Sequence, residues 1–348
     1  MSAHAPAAGK KPEWINIVKR YQTPNPWKSA WQMINSLVPF FVVWVLMVWS
    51  LQVHYALTLV LAFLNALFLM RIFIIQHDCG HNSFFASTKL NNFVGNLLGV
   101  ITLTPYYHWR KMHAKHHAGS GDLEFRGFGD IDTLTVEEYH ALDWKGKLWY
   151  RFYRHPFIMF VVGPVIVFAI NHRFPSKLKK NETRERRSVH NTNMALLAIF
   201  LLLGLNLGFK ETLMLWLPLT VFSSVIGVYL FYVQHQFEDT YWRWHDEWDY
   251  EMAALQGASF FKLPRLLQWF SGNIGFHHVH HLSPLIPNYN LEKAHYENEI
   301  FQQVETITLL SSMKTIFLDL WDEQTRKLVS FRQARKLMQQ RAAQGAAS

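Results

Sequence analysis

Four apolar stretches in this chain constrain its fold more than any other feature. They run Met33–Val53, Tyr55–Ile75, Asn193–Phe209 and Thr212–Val233. Crossing a bilayer takes about 20 residues, and in hydrocarbon the backbone must close its own hydrogen bonds, so each is read as a spanning helix. The third is short but nearly all Leu, Ala, Ile and Phe. The connections at His54 and at Lys210-Glu211 are almost absent, so the helices pair as two hairpins. Composition agrees: charged residues are 17% of the chain, against roughly 25% in an average soluble domain. The expected fold is all-α and integral to the membrane, four spans carrying a helical cap. The chain divides into an arm (1–32), a membrane domain (33–301) and a basic tail (302–348).

Two weaker apolar runs, Phe93–Pro105 and Phe157–Ile170, carry Gly and Pro. At 13 and 14 residues they suit re-entrant or interfacial segments better than spans. Charge gives the orientation. Asn171–His190 carries Arg173, Lys177, Lys179, Lys180, Arg184, Arg186 and Arg187, and the arm carries Lys10, Lys11, Lys19, Arg20 and Lys28, whereas the two hairpin loops hold only Lys210. Positive residues stay inside, which puts both termini on the cytoplasmic side. The net charge of +9 is read as loops facing anionic lipid, and no nucleic-acid motif accompanies it. The polar, basic segment Met1–Lys28 has no signal-peptide pattern, so the first span is expected to be an uncleaved anchor. Lys314–Arg341 has two readings, a basic amphipathic helix on the headgroups or a solvated surface helix.

Three histidine clusters fall on the cytoplasmic side of this topology: His77-Asp78-Cys79-Gly80-His81, His113-Ala114-Lys115-His116-His117 and His277-His278-Val279-His280-His281. Residues three or four apart share a helix face, so each cluster can aim two or three imidazoles at one point, and imidazole is the commonest metal ligand. The number is too large for one ion and suggests a two-metal centre. His235, just past the fourth span, has the same relation to the membrane as His77 after the second, and a polar group at such a helix end needs a partner. His278 points off the face shared by His277, His280 and His281 and is expected not to ligate. Asp78 has two readings, a hydrogen bond to a ligand histidine or a helix-edge carboxylate. Asn273 also has two, facing the metals directly or through water, or a turn residue beside Gly272 and Gly275. The single cysteine, Cys79, excludes a disulfide framework and a cysteine-ligated cluster. Imidazole suits Zn, Cu, Fe and Ni alike, so ligand type alone does not select the metal.

These residues resemble the three histidine boxes of the membrane fatty acid desaturase family, a first box of histidines four or five apart followed by two boxes of the form HxxHH. They read here as His77…His81, His113…His116-His117 and His277…His280-His281. The resemblance runs from about Pro39 to Ala294. Within the family the chain looks most like the bacterial form of the acyl-lipid omega-6 or delta-12 type, on Gln76–His81, Val233-Gln234-His235, Gly272–Phe276 and Ile286–Asn290. The resemblance implies two iron ions held by His77, His81, His113, His116, His117, His235, His277, His280 and His281, with His278 leaving nine or ten ligands open. It implies dioxygen as co-substrate, a fatty acyl lipid or acyl thioester as substrate, and insertion of a cis double bond. It further implies a site on the cytoplasmic face of a bacterial inner membrane. An unactivated methylene is far too weak an acid for any side-chain base, so a metal must carry that chemistry. The chain shows no Rossmann glycine fingerprint, cysteine cluster or fused haem motif, so a separate ferredoxin or cytochrome b5-like electron donor is implied.

Two rival classes are separable. A hydroxylase, acetylenase or carotenoid oxygenase could share all three boxes and differ only in where the substrate sits. A histidine-rich metal transporter or sensor predicts ionisable residues along a path through the spans. Here the spans are nearly uncharged, with Arg71 close to an end where it can snorkel.

Overall fold

A computed structural model describes residues 12–128 and 131–345. Its frame is four long helices, Pro26–Ser50, Tyr55–His81, Thr183–Leu207 and Phe209–His235, each long and apolar enough to cross a membrane. Each hairpin turns within a few residues. The first turns through Leu51–His54, where His54 Nδ1 accepts from the Ala56 N–H at 3.1 Å and so caps the second helix. The second turns on Gly208, whose φ of 101° favours glycine.

The two hairpins stand side by side in the same sense. At one end of the bundle the Tyr55 hydroxyl donates to the Met214 carbonyl. At the other, His77 and His81 end the second helix as His235 ends the fourth. Both tight turns therefore lie at one end and all the chemistry at the other.

The helices overrun the apolar stretches. The first starts at Pro26 rather than Met33, with Pro26 at its first position and the Asn25 side chain accepting from the Trp27 and Lys28 N–H groups at 3.0 and 3.1 Å. Its added turns are amphipathic: Ser29 donates to the Phe84 carbonyl at 2.7 Å and Gln32 to Asn288 at 3.0 Å. The third starts at Thr183 rather than Asn193, and the second and fourth run on to His81 and His235. A hydropathy run marks the hydrocarbon thickness, whereas a helix continues past it wherever its polar side chains find partners.

The first weak run is a helix, Thr88–Ile101, followed after a tight turn by Tyr106–Gly119. Glycine makes their packing possible: a Cβ at Gly95 would lie 2.2 Å from the Tyr106 ring. That ring is buried, and its hydroxyl donates to the Cys79 carbonyl at 2.8 Å, which locks the second histidine cluster to the first. Gly95→Ala is expected to cost about 1–3 kcal/mol by overpacking, read as a fall of several degrees in the unfolding temperature of the detergent-solubilised protein. The second weak run lies in Ile158–Arg173, which is bent by 58° from the preceding helix Trp144–Tyr153. It contains two π-helical segments around Gly163–Val165, where Pro164 has no N–H for the ladder.

The cap is built on short elements. A strand at Phe260–Lys262 pairs in parallel with Thr306–Thr308, and the one-and-a-half-turn helix His277–Leu282 sits between it and the helix Asn288–Glu297. Phe260, Phe276, Val279, Leu282, Ile286 and Leu291 form its apolar core. Beside it, Trp242 is buried with Leu123 and Trp321, Trp248 donates to the Ser120 carbonyl at 2.9 Å, and Trp244 donates to Glu323.

The tail departs from its expected form. Lys314–Arg341 is not one helix. Leu320–Asp322 and Lys327–Val329 form an antiparallel hairpin, and only Phe331–Gly345 is a long helix. Asp322 accepts from the Thr325 N–H and hydroxyl, fixing the turn, and receives Arg341 at 2.7 Å. Trp321 is 1% exposed. Burial of that side chain overrides a helical charge pattern, as tertiary context does for weak propensities.

Candidate metal centre

The site is assembled from four helices. His77 and His81 lie one turn apart at the end of Tyr55–His81, His113, His116 and His117 on Tyr106–Gly119, His235 at the end of Phe209–His235, and His277, His280 and His281 on His277–Leu282. Their ring nitrogens gather into two groups, within each of which the candidate ligand atoms lie within 4.8 Å of one another. One holds His77, His81, His113, His117 and His280, the other His116, His235, His277 and His281.

The division follows from helix geometry. Adjacent residues point about 100° apart at 3.6 residues per turn, so His116 and His117 diverge, as do His280 and His281. Residues four apart stay together, so His77 joins His81, His113 joins His117, and His277 joins His281. Each HxxHH box therefore serves both groups.

The donor set fits metal ions. Nε2···Nε2 separations are 3.1 Å for His113–His117, 3.0 Å for His117–His280, 2.9 Å for His235–His277 and 3.3 Å for His116–His281. A neutral imidazole has one N–H, so rings converging on shared points leave lone pairs that a cation would take up. His81 Nε2 is buried with no hydrogen-bond partner. Neither group contains a carboxylate or a thiolate. Burial first, and neighbouring imidazoles second, hold the pKa of His113, His117, His277, His280 and His281 well below the usual histidine value. The neutral form is the one that ligates.

The surrounding contacts orient the rings. Asp78 is 1% exposed; its Oδ1 lies 3.1 Å from His77 Nδ1, and its Oδ2 accepts from the N–H and side-chain amide of Asn288 at 2.6 and 2.8 Å. His235 Nδ1 lies 3.0 Å from the Gly257 carbonyl. Trp109 stacks on His113 at 4.6 Å, and the Tyr250 hydroxyl donates to the His281 carbonyl at 2.8 Å. His278 is in neither group: its Nε2 meets His295 Nδ1 at 3.0 Å among Phe260 and Phe301. Asn273 has φ 59° and gives its side-chain amide to the Asn288 carbonyl at 3.3 Å, the geometry of a turn residue.

Sequence reasoning did not identify Asn288, Trp109, Gly257 or Tyr250 as site residues. Trp109 stands four residues before His113 and was open to the same spacing argument. Asn288 is 210 residues from Asp78; it lies in the Ile286–Asn290 segment that carries the family resemblance, but nothing local ties it to a histidine.

Four of the histidines lie on the wall of a cavity of about 470 Å³, within the range of small-ligand sites. Leu69, Met70, Phe73, Gly227 and Phe231 line it toward the bundle, and Met159, Val167 and Phe168 come from the bent segment. His77, His113, His116 and His277 line it at the metal groups.

Fold and site together define an integral membrane protein with a two-part polyhistidine centre, capable of holding metal, on the wall of an apolar cavity. The comparisons specify the class further. The family model described as fatty acid desaturase matches residues 53–306. A Bacillus subtilis (strain 168) protein described as a fatty acid desaturase is 47% identical over 325 residues, 93% of this chain and 92% of that one. The sn-1 oleoyl-lipid 12-desaturase of Synechocystis is 29% identical over 234 residues, 64% of this chain and 63% of that one. The chloroplastic sn-2 acyl-lipid omega-3 desaturase (ferredoxin) of Arabidopsis thaliana is 26% identical over 295 residues, 80% of this chain and 63% of that one. The chain belongs to the fatty acid desaturase family and is a desaturase enzyme.

Proposed function

We propose that the nine histidines hold two iron ions, one in the five-histidine group and one in the four-histidine group, and that the protein inserts a cis double bond of the delta-12/omega-6 type into a fatty acyl lipid. The observation that carries this reading is the convergence of both groups on the wall of an apolar cavity. The 12-desaturase among the relatives and the sequence around the third box support the position of the bond. Imidazole suits iron among other metals, and the nine histidines fill nine of the twelve positions about two six-coordinate ions, leaving room for dioxygen. The bound irons would supply an oxidant, derived from dioxygen, able to remove hydrogen from an unactivated methylene.

The residues of the chain do the rest. The cavity walls hold the acyl chain with one carbon–carbon bond against His77, His113, His116 and His277, so that two hydrogens leave neighbouring carbons. The balance is one dioxygen, two electrons and two protons consumed, two waters formed and one carbon–carbon double bond made. A separate ferredoxin-like protein supplies the electrons, a reading supported by the ferredoxin in the name of the Arabidopsis relative, and the basic loops favour a site on the cytoplasmic face, in a bacterial inner membrane.

The test is fatty-acid analysis by gas chromatography–mass spectrometry of a bacterium lacking polyunsaturated lipid and expressing the chain, beside His116→Ala. A new unsaturated acid, with its bond located by dimethyl disulfide adducts and absent from the variant, is the expected result. A hydroxy acid in its place moves the reading to a hydroxylase of the same superfamily.

A further inference from the structure

Two short helices are built inside out. In Leu309–Thr315 the side turned to the protein is polar: Ser312 and Thr315 are buried, the Ser312 Oγ lies 2.7 Å from the Tyr229 hydroxyl, and the Thr315 carbonyl accepts from the Tyr232 hydroxyl at 2.8 Å. The other side is apolar and bare. Leu310, Met313 and Phe317, spaced at i, i+3 and i+7, share one face, and each is more than half exposed, Leu310 at 86%. Trp144–Tyr153 repeats the pattern. On its inner side the Tyr150 hydroxyl donates to the Asp319 carbonyl at 2.8 Å; on its outer side Trp144, Leu148, Trp149 and Phe152 are each more than half exposed. A surface helix in water turns its apolar stripe inward, and contiguous bare apolar patches mark a docking surface.

The fourth spanning helix sets their depth. Tyr229 and Tyr232 belong to its apolar stretch, Thr212–Val233, and Tyr229 stands six residues before His235, about 9 Å of helix axis toward the bundle. Leu309–Thr315 therefore lies beside the last turns of a span. The segment that follows Trp144–Tyr153 packs on the same two tyrosines, with the Phe160 ring 5.6 and 4.9 Å from theirs. The first spanning helix carries exposed aromatics to this end as well: Trp27 and Trp31 flank Ser29, which donates to the Phe84 carbonyl just past His81. Tryptophans so placed belong to the belt at the membrane edge, so that edge reaches the level of the metal groups, past the level of Tyr229.

From this placement we infer that the outward faces of Leu309–Thr315 and Trp144–Tyr153 dock on the lipid bilayer, lying in its interface beside the end of the fourth span and adding a membrane contact that the four spans do not supply. In-plane helices of this kind bury their apolar face at the boundary of headgroups and acyl chains. Lys145 and Lys314, exposed on the same two helices, reach the headgroups while their stems lie along lipid. Held on one side by the protein and on the other by lipid, the two helices fix the height of the cap over the bilayer. Leu309–Thr315 follows the last residue that the family model covers, so this contact is independent of the segment on which the desaturase reading rests.

The test is site-directed spin labelling of the full-length protein in nanodiscs of phosphatidylcholine and phosphatidylglycerol, each disc holding a single chain. Leu310→Cys, Phe317→Cys and Leu148→Cys are compared with Leu205→Cys, on the bare side of the third span, and with Glu292→Cys, exposed on Asn288–Glu297. Cys79 is buried and keeps the background label low. Power saturation reads the collision of each nitroxide with oxygen, which concentrates in lipid, and with a water-soluble nickel chelate. The oxygen-to-nickel ratio at the three test positions is expected to lie several-fold above that of Glu292→Cys and to approach that of Leu205→Cys. A ratio at any of the three equal to that of Glu292→Cys would put that face in water. Low collision with both reagents would put it against protein. Either result would overturn the proposal, and neither depends on whether the protein forms a double bond.

Discussion

Alanine at His281 is expected to abolish the unsaturated product and to lower the bound metal from two ions per chain to one, and alanine at His113 to abolish product with a smaller loss of metal. The asymmetry comes from the two groups. His281 belongs to the four-histidine set with His116, His235 and His277, so its removal leaves three nitrogens. His113 belongs to the five-histidine set, so four remain, a number that suffices for many stable sites. Product should fall more than about a hundredfold in both, since even a residue that only orients a ligand changes affinity or activity by about 10–100-fold. Both variants should remain in the membrane at near-normal abundance, because hairpin packing involves Phe40, Met47, Ala62 and Leu215, far from the imidazoles. Metal analysis by plasma mass spectrometry on purified protein and product analysis on the same cells check both parts. A useful control is His54→Ala, which removes only a helix cap at the opposite end of the bundle and should cost about 1 kcal/mol with metal and product intact. Equal metal loss from the two ligand variants would refute the five-and-four division.

Substitution of Asp78 has the second-largest expected effect. The carboxylate touches His77 with one oxygen and accepts two hydrogen bonds from Asn288 with the other. Asn288 in turn accepts from Gln32 and, through its carbonyl, from Asn273. One buried side chain thus joins the first helix, the first histidine box and the chain that follows the third box. Asp78→Ala leaves the Asn288 donors buried and unpaired, at about 1–3 kcal/mol for each, and frees the His77 ring to rotate. Metal affinity should fall about 10–100-fold, together with a lower unfolding temperature. Asp78→Asn can still accept from the Asn288 N–H, so it should retain most of the stability while losing the charge that orients His77. Metal content after graded chelation, with thermal unfolding of both variants, separates orientation from packing. Retention of all bound metal by Asp78→Ala under a chelator that leaves the unaltered protein intact would sink the argument.

Legibility in the sequence follows the range of each interaction. The four helices and their pairing could be read because an apolar run and a missing loop are local features. The histidines could be gathered because i, i+3 and i, i+4 spacing is also local, and His278, whose Nε2 lies 3.0 Å from His295 Nδ1, was set apart from its neighbours on the same ground. The division into five and four could not be read: it requires the relative placement of Tyr55–His81, Tyr106–Gly119 and His277–Leu282, which long-range contacts decide. The contact of Asn288 with Asp78 was invisible for the same reason. The helix ends were misjudged at Pro26 and Thr183 because hydropathy reports the lipid and not the hydrogen bonds beyond it. The tail was misread because Trp321 and the Asp322–Arg341 pair are buried against elements distant in the chain.

Tyr106–Gly119 and His277–Leu282 each give imidazoles to both groups, and this has a mechanical consequence. The separation between ions held in the two groups would be gauged by helical pitch rather than by the reach of any loop. A loop that breathes alters who may enter. A tilt of either short helix, however, carries a ligand of each ion with it, so the pair would move as one body, like two bearings mounted on a common axle.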